Sequence, residues 1–332
     1  MVRLIGKALA NSNIAIIKYW GNANNALVIP ANNSLSFTMD NQLQTRTKVI
    51  FSDEYAKDEL WINGTLARKE EIERVSKFLS ILRKKINCKL KAKVYSRNSF
   101  PKGAGLASSA AGFAALAGAA SKALGLKLTP KELSSFARFG SGSAARSIFG
   151  GAVEWKKGKK KDGSDCCAVQ LVPKEKLSKL RNVIAIVEKK EKKVGSRKGM
   201  EFTVKTSRLF KKRVKAVKVR LKEARKAILN FDFQKLAPII MEDSNSMHEV
   251  MRDTKPKLEY LSPVSYKIIG EILSLNKEKK KFIGAYTFDA GPNAHIYTLE
   301  ENVKEIVKRI KRVKEIKKII VCKIGEGIRI LK

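Results

Sequence analysis

The alternation of apolar and polar residues predicts short strands over the first sixty residues. Alternating or β-branched runs at 15–19, 34–39 and 45–51 are separated by clusters of Gly and Asn, which are typical of turns. Between residues 70 and 86 the pattern changes, and apolar residues recur at the spacing of one helix face. These residues are Ile72, Val75, Phe78, Leu79 and Leu82. The first part of the chain therefore predicts strands followed by an amphipathic helix.

Further along the chain, the same criteria predict a mixture of strands and helices. Strands are expected at 91–96, 183–187, 285–288 and 319–324, and helices at 113–124, 200–229, 233–251 and 303–313. This order of elements indicates an α+β fold. A chain of 332 residues suits two domains or one large one, and the change in pattern predicts a boundary near residues 175–185.

Composition excludes several classes of protein. The chain is 44% hydrophobic and 30% charged with only 8 Pro, which excludes a fibre, a disulfide scaffold and a disordered tail. Its formal net charge of +38 suggests contact with polyanions. However, the basic runs are dispersed along the chain and aromatic residues make up only 7%, so we do not expect specific nucleic-acid binding as the main function. A polyanion- or RNA-binding role is the alternative from another class.

Cysteine usage and hydropathy bear on location. Cys88, Cys166, Cys167 and Cys322 lack the spacing of metal ligands, and the chain has only two histidines, so we expect neither a structural zinc nor a catalytic metal bound by the protein. The adjacent pair Cys166-Cys167 is poorly placed for an ordinary disulfide. No segment reaches 18 unbroken apolar residues and no secretory leader is recognisable. We therefore expect a cytoplasmic protein without membrane insertion.

The segment from Ser96 to Gly112 is the most informative stretch. Pro101, Gly103 and Gly105 precede two hydroxyl residues, Ser108 and Ser109, at the predicted start of a helix. Such a loop can direct backbone N–H groups and the positive end of a helix at a phosphate, while the serines contact phosphate oxygen or Mg²⁺. A Gly/Ala helix packed closely against a neighbour explains the composition equally well. The residues alone leave both interpretations open.

Three other positions could carry chemistry. The segment Ser141-Gly142-Ser143 leads to Arg146, whose guanidinium could bind a carboxylate or phosphate, although a capped helix with a surface arginine is commoner for such a sequence. Asp289 follows a strand and precedes a Gly-Pro turn, where an aspartate often only organises the turn. Lys18 lies in an apolar run, so it either has a buried partner or extends to solvent.

The segment Pro101-x-Gly103-x-Gly105-Leu-Ala-Ser108-Ser109 resembles the phosphate loop of the GHMP small-molecule kinase superfamily. Other motifs, found in family order over nearly the whole chain, resemble its mevalonate diphosphate decarboxylase family, and we expect an archaeal-like member. They are Asn13 to Gly21, Leu60 to Gly64, Ser141 to Ser147, Gly150 to Trp155, Gly199-Met200, Asp243 to His248 and Phe288 to Ala294.

The resemblance implies a fold and an activity. Residues 1–180 would form the superfamily's ATP-binding domain, related to ribosomal protein S5, and residues 181–332 a ferredoxin-like domain. The active site would lie in the cleft between them. The implied reaction is ATP-dependent decarboxylation of mevalonate 5-diphosphate to isopentenyl diphosphate, in the mevalonate pathway of isoprenoid synthesis. ATP and Mg²⁺ would be required, and members of the family are often homodimers.

The resemblance also implies site residues by position in this sequence. Catalytic roles fall on Asp289, Arg146, Lys18 and Ser109. The substrate would contact Asn13, Tyr19, Arg74, Ser141, Gly142, Ser143 and Arg197. ATP would lie against Ser96 and Asn98 at its adenine, and against Gly103, Gly105, Ser108 and Ser109 at its phosphates. By pattern alone, Arg74 looks like a solvated charge within a helix.

One departure from the family concerns the number of phosphates on the substrate. The family commonly has Lys-Tyr-Trp-Gly-Lys, whereas this chain has Asn22 in place of the second lysine. Alternatives are therefore a decarboxylase of mevalonate 5-phosphate or a mevalonate 3-kinase, as in some archaeal relatives. Because Lys18, Arg146 and Asp289 are retained, we predict decarboxylation and not simple phosphorylation. Since Arg74 and Arg197 could still hold a diphosphate, we predict the diphosphate as the substrate.

Overall fold

The computed structural model describes residues 2–100, 108–187 and 194–332. The strands are β1 (Arg3–Asn11), β2 (Asn13–Ile17), β3 (Asn22–Asn24), β4 (Ile29–Pro30), β5 (Ser34–Thr38), β6 (Gln44–Ser52), β7 (Glu59–Ile62), β8 (Thr65–Leu66), β9 (Lys91–Asn98), β10 (Ala152–Trp155), β11 (Ala168–Val172), β12 (Leu180–Ile186), β13 (Ala285–Phe288), β14 (Ala294–Leu299), β15 (Lys318–Lys323) and β16 (Arg329–Leu331). The helices are α1 (Lys69–Lys84), α2 (Ser108–Ala123), α3 (Pro130–Gly140), α4 (Ser196–Thr206), α5 (Phe210–Leu229), α6 (Phe233–Arg252), α7 (Pro263–Glu278) and α8 (Val303–Ile310).

Three larger sheets organise these elements. The first has six strands in the order β16-β1-β6-β9-β7-β8, and only the pair β7 and β9 is parallel. The second has the order β11-β10-β5-β2, and the third β13-β14-β12-β15. The second and third sheets are antiparallel throughout. Each sheet has a buried face, as strands of alternating or continuous apolar residues require.

The first sheet is covered by α1 and α2. Helix α2 is made largely of Ala and Gly, and its small side chains let its backbone approach the sheet closely. At Gly6 on β1, a Cβ atom would overlap the Ala119 carbonyl oxygen of α2 and lie 2.6 Å from Ala123 N. Close packing, one of the two interpretations of this helix, is therefore present.

The second and third sheets share one hydrophobic core with α5 and α6. Ile14 on β2 and Phe37 on β5 belong to the same cluster as Val183 on β12 and Ile240 on α6. The Phe37 ring lies 5.2 Å from the ring of Tyr297 on β14. Because the core is continuous, the ends of β2 and β13 are held close to each other.

The predicted elements are present with one clear error. The predicted helix 200–229 is two helices, α4 and α5, with a break after Thr206. The Asp253 carboxylate accepts hydrogen bonds from Ser207 Oγ at 2.7 Å and Leu209 N at 3.1 Å, which satisfies backbone and hydroxyl groups at the break. Helices α3 and α7 were not predicted from the pattern. Each begins with a proline in its first turn, after Thr129 and Ser262 respectively.

The chain ends in the first sheet. Strand β16 pairs with β1 in antiparallel register, so that Ala8 lies opposite Ile330, and an isolated bridge joins Met39 to Ile324. The segment after β15 thus returns to the N-terminal half. The predicted division near residue 180 falls at the start of β12 and stays a prediction. In the part of the chain that the structure describes, no helix combines the length and apolar character needed to cross a bilayer.

We predict that Gly6→Ala destabilises the protein by about 1–3 kcal/mol, because the added methyl group must displace the α2 backbone. Gly270→Ala is the control, since Gly270 lies inside α7 with open space around it. Gly270→Ala should raise the free energy of unfolding by about 0.5–1 kcal/mol, because alanine has the higher helix propensity. Urea denaturation of both variants measures the two free energies of unfolding. Equal effects would contradict the close approach of α2.

Candidate active site

A cavity of about 740 Å³ brings most of the predicted residues together. Its walls include all of the residues with predicted catalytic roles, Lys18, Ser109, Arg146 and Asp289. They also include the predicted substrate residues Asn13, Tyr19, Arg74, Ser141, Gly142, Ser143 and Arg197, together with Ser108. The volume lies in the range of small-molecule sites. Residues far apart in the sequence thus line one cavity.

A buried ion pair lies in this cavity. Lys18 follows β2 and Asp289 follows β13, and Lys18 Nζ donates to Asp289 Oδ1 at 2.7 Å. The Lys18 side chain is 1% exposed, whereas that of Asp289 is 30% exposed. Burial lowers the pKa of Lys18, and the carboxylates of Asp289 and Asp243 oppose this effect by favouring the charged form. The lysine therefore has the buried partner that its place in an apolar run requires, and the carboxylate is the accessible member.

Arg146 is buried, not on the surface as its local sequence would favour. It lies in a 3₁₀ segment, Gly142–Ile148, and is 2% exposed. Its Nε donates to Asn13 Oδ1 at 2.9 Å and its Nη1 to Ser34 Oγ at 2.5 Å. Burial lowers its pKa to about 10, so it is cationic at neutral pH. Within the described residues, the hydrogen-bond partners of this guanidinium are the neutral groups at Nε and Nη1, so it retains N–H donors for an anionic ligand.

A row of hydroxyl groups begins at the first turn of α2. Ser109 Oγ lies 3.3 Å from Ser141 Oγ, which lies 3.2 Å from Ser143 Oγ. Asn13 Nδ2 fixes this segment by donating to the Ser143 carbonyl oxygen at 2.9 Å. Hydroxyl donors beside the positive end of a 16-residue helix suit a phosphate. The phosphate-binding interpretation of α2 is therefore compatible with its close packing.

Gly142 admits no side chain at its position. A Cβ atom there would lie 2.8 Å from Trp155 Cη2 and 2.8 Å from Tyr19 Cε1. The Tyr19 and Trp155 rings meet edge to face with centroids 4.9 Å apart. Gly142 thus allows the segment that carries Ser141 and Ser143 to pack directly against the rings of Tyr19 and Trp155.

Two arginines converge at the edge of the cavity. Arg74 donates to the Gly140 carbonyl oxygen through Nε at 3.0 Å and Nη2 at 2.6 Å, and Arg197 Nη2 donates to the same oxygen at 3.4 Å. The Arg74 guanidinium lies over the Phe113 ring, 4.6 Å from its centroid. Burial, and then the charge of Arg197, lower the pKa of Arg74 to about 10. Arg74 is thus half-buried, unlike the solvated charge that its helical pattern favoured.

Asn22 contacts the tyrosine of the cavity wall. Tyr19 Oη donates to Asn22 Oδ1 at 2.6 Å, and Asn22 Nδ2 donates to Asn25 Oδ1 at 3.0 Å. Burial raises the pKa of Tyr19, which keeps its hydroxyl protonated and able to donate. The neutral amide of Asn22 therefore orients Tyr19. Position 22 is the one at which the resembled family commonly has a lysine.

Ser96 and Asn98 do not line this cavity in the described structure. Ser96 Oγ hydrogen-bonds with Thr47 Oγ1 at 2.8 Å, and Asn98 Oδ1 accepts from Thr45 Oγ1 at 2.7 Å. Both contacts tie β9 to β6. The predicted adenine role of these two residues stays a prediction. Gly103 and Gly105 lie outside the described residues.

Sequence reasoning gave no role to Asp243 and Ser244. Both are buried polar residues of α6, and they accept hydrogen bonds from Lys18 N at 2.7 Å and Phe288 N at 3.0 Å respectively. The motif Asp243-Ser-Asn-x-x-His248 was visible in the sequence, but its partners lie in other elements. Polar residues at inward-facing positions of an amphipathic helix are the signal that could have identified them.

The donor set suits a nucleotide with its Mg²⁺ better than a resident metal. Among residues 2–100, 108–187 and 194–332, no group of three His, Cys, Asp or Glu side chains is placed to hold a metal ion. The cavity instead offers serine hydroxyls, a helix N-terminus and a lysine, which bind phosphate oxygens.

Known proteins share this architecture. Solved structures of similar shape show that the chain has the two-domain GHMP kinase-like α+β fold. The family described as diphosphomevalonate decarboxylase-like N-terminal domain matches residues 10–168, and the mevalonate 5-diphosphate decarboxylase C-terminal domain matches residues 182–322. The chain belongs to the diphosphomevalonate decarboxylase family.

Relatives with this activity in their names are similar over most of their length. The diphosphomevalonate decarboxylase of Ganoderma lucidum is 42% identical over 321 residues, which span 91% of this chain and 80% of the relative. The Homo sapiens protein of the same name is 39% identical, covering 90% of this chain and 78% of its own length.

Bacterial structures are similar over the whole chain. Mevalonate diphosphate decarboxylase from Staphylococcus aureus has a TM-score of 0.93 at 37% identity, covering 100% of this chain and 99% of its own. A complex of MDDEF with MVAPP, AMPPCP and magnesium has a TM-score of 0.92 at 36% identity over 100% of both chains. These relatives are eukaryotic and bacterial, so the expected archaeal character finds no support in them.

We predict that His248 makes the protein lose stability on acidification. His248 is buried on α6, and burial, followed by the charge of Lys18, lowers its pKa from 6.5 to about 3. Between these values the unfolded chain binds the proton and the folded chain does not, so stability falls as pH falls below 6.5. The slope from this residue approaches about 1.4 kcal/mol per pH unit.

His248→Gln isolates this contribution, because acidic residues also change stability over the same pH range. Urea denaturation at several pH values from 4.5 to 7 should give a shallower decline for the variant than for the wild type. Parallel curves would contradict a neutral, buried His248.

Proposed function

We propose that the protein catalyses the ATP-dependent decarboxylation of mevalonate 5-diphosphate, which yields isopentenyl diphosphate, ADP, phosphate and carbon dioxide. The observation that carries this proposal is the meeting of the Lys18–Asp289 pair and the buried Arg146 in one cavity. Relatives with 39–42% identity carry the name of this activity. One related structure holds MVAPP, AMPPCP and magnesium together.

Asp289 and Lys18 would act on the phosphoryl transfer. The more exposed Asp289 carboxylate orients the tertiary 3-hydroxyl of the substrate and accepts its proton as the oxygen attacks the γ-phosphorus of ATP. Lys18 Nζ, held at 2.7 Å from the carboxylate, offsets the negative charge on the transferring phosphoryl oxygens. The pair therefore provides a base and a cation at the same point.

Arg146 would direct the second step. Its guanidinium holds the substrate carboxylate opposite the departing 3-phosphate, and Asn13 and Ser34 keep its orientation. When the C–O bond to phosphate breaks, the electron pair of the C–C bond to the carboxylate forms the alkene, and carbon dioxide leaves. A simple kinase has no need for a buried arginine in this place, so Arg146 favours decarboxylation.

The remaining residues would bind the two phosphorylated ends. Ser108 and Ser109, with Gly103 and Gly105, take the ATP phosphates and accompanying Mg²⁺, while Ser96 and Asn98 lie toward the adenine. The diphosphate of the mevalonate end would contact Tyr19, Arg74, Ser141, Gly142, Ser143 and Arg197. Arg74 and Arg197 already lie beside the same carbonyl oxygen, so two cations face this end.

The paired arginines also bear on the phosphate count of the substrate. Asn22 supplies no charge, and loss of one charge-assisted contact weakens binding by about 1.5–3 kcal/mol. Arg74 and Arg197 together can hold two phosphate groups, and this favours the diphosphate over mevalonate 5-phosphate.

We further propose a cytoplasmic homodimer without a specific nucleic-acid partner. The four cysteines are free thiols, which accords with a reducing compartment.

A substrate comparison tests the proposed function. Single-turnover reactions contain ATP and Mg²⁺ with mevalonate, its 5-phosphate or its 5-diphosphate, and ADP and carbon dioxide are measured together. We expect equal amounts of both products with the diphosphate alone. Equal release with the monophosphate would change the substrate, and ADP without carbon dioxide would identify a 3-kinase.

Asp289→Asn should lower kcat by roughly 10²–10⁴-fold, because the amide cannot accept the hydroxyl proton. ATP should still bind with a dissociation constant close to that of the wild type, as measured by calorimetry. Asp232→Asn is the control, since Asp232 caps α6 through Lys235 N at 3.0 Å and does not line the cavity. Near-normal turnover of Asp289→Asn would overturn the role of this carboxylate.

A further inference from the structure

One helix holds both strand ends that carry the ion pair. Asp243 and Ser244 are neighbours on α6, and both are buried, at 0% and 1% exposure. Asp243 Oδ1 accepts from Lys18 N at 2.7 Å, and Ser244 Oγ accepts from Phe288 N at 3.0 Å. Phe288 directly precedes Asp289. Helix α6 therefore contacts the backbone of Lys18 through Asp243, and the backbone next to Asp289 through Ser244.

The Asp243 contact is itself held by two arginines. Arg213 Nη2 donates to Asp243 Oδ1 at 2.9 Å, and Arg220 Nη1 donates to Asp243 Oδ2 at 3.2 Å. Both arginines belong to α5, so the carboxylate joins α5, α6 and the end of β2. A buried carboxylate with several donors has little freedom to move.

The two sides of the ion pair differ in how strongly the backbone controls them. Lysine has four rotatable side-chain bonds and can follow a small backbone shift. Aspartate has two, so the position of its carboxylate follows the backbone closely. The hydrogen bond from Phe288 N to Ser244 is one residue from that backbone. Of the two contacts from α6, the one made by Ser244 therefore has the larger influence on the Lys18–Asp289 distance.

We propose that Ser244, supported by Asp243, is a positioning residue that sets the separation of Lys18 Nζ and Asp289 Oδ1. This role belongs to the same active site, and its expected effect on kcat rests on the proposed decarboxylase function. Active-site groups must be held within about 0.5 Å of the productive geometry, and a 1 Å displacement can cost on the order of 100-fold in rate.

The separation also governs the charge state of Lys18. The charged or titratable groups facing Lys18 are Asp289 after β13, Asp243 and His248 on α6, and Arg146. Burial lowers the pKa of Lys18, and Asp289 is the largest opposing influence. If Asp289 moves away, the pKa of Lys18 falls further, because less negative charge favours the ammonium.

The test compares Ser244→Ala with a matched control, Thr298→Val. Thr298 is also fully buried in the third sheet, and its Oγ1 donates to the Ile283 carbonyl oxygen ahead of β13. Ser244→Ala removes the hydrogen bond to Phe288 N at the end of β13, and Thr298→Val removes the hydrogen bonds of Thr298 Oγ1 to the carbonyl oxygens of Ile283, ahead of β13, and Leu299. Ser244→Ala should lower kcat about tenfold with KM changed less than twofold, and move the basic limb of the pH–rate profile to lower pH. Thr298→Val should change neither.

A second measurement is independent of catalysis. NMR titration of the ligand-free protein with labelled lysine side chains gives the pKa of Lys18, whose signal is assigned by its absence in Lys18→Met. Ser244→Ala should lower this pKa relative to the wild type, while Thr298→Val and the hydroxyl-retaining Ser244→Thr should not. If Ser244→Ala does not fold, Ser244→Cys replaces it, because sulfur is a weak acceptor.

The outcomes separate the two proposals. An unchanged Lys18 pKa and kcat in Ser244→Ala, or equal losses in Ser244→Ala and Thr298→Val, would overturn the positioning role. A wild-type protein without turnover of the diphosphate would overturn the proposed function. The NMR comparison would still decide whether Ser244 controls the ion pair.

Discussion

The need to neutralise one buried ammonium group constrains the centre of this molecule. Lys18 is 1% exposed, and a lysine in that environment requires a carboxylate within hydrogen-bond distance. The carboxylate comes from Asp289, 271 residues away, so β2 and β13 must end at the same place. The core shared by the second and third sheets brings the strands together, and α6 secures both ends. Fold and site therefore depend on the same contacts.

The cavity is arranged for anions. The cationic residues Lys18, Arg74, Lys77, Arg146 and Arg197 line it together with the carboxylates of Glu70, Glu73, Glu201 and Asp289, the last of which is paired with the buried lysine. Burial lowers the pKa of Lys18, Arg146 and Arg74, which means that each charge is held at a cost in solvation. Negatively charged ligands relieve that cost. Part of the binding energy for phosphates and a carboxylate is therefore prepared when the protein folds, before any ligand arrives.

Local patterns predicted most of the helical residues, seven of the sixteen described strands and the serine-containing helix start, because periodicity and glycine placement act over a few residues. They could not predict that Arg146 is buried, since its partners Asn13 and Ser34 lie 133 and 112 residues away. The same patterns predicted one helix in place of α4 and α5, because the Asp253 contacts at the break come from a turn that is distant in the sequence. Family resemblance predicted roles for Asp289 and Lys18, whereas Asp243 and Ser244 became recognisable only through their backbone partners.

The pairing of β16 with β1 has a consequence for biosynthesis. Strand β1 is complete after residue 11, but the strand that covers its outer edge begins at residue 329. At ribosomal rates of about 5–20 residues per second, that edge lacks its native partner for roughly 15–65 s. An uncovered strand edge can pair with other chains. The nascent protein thus passes through a period in which aggregation through this edge competes with completion of the first sheet.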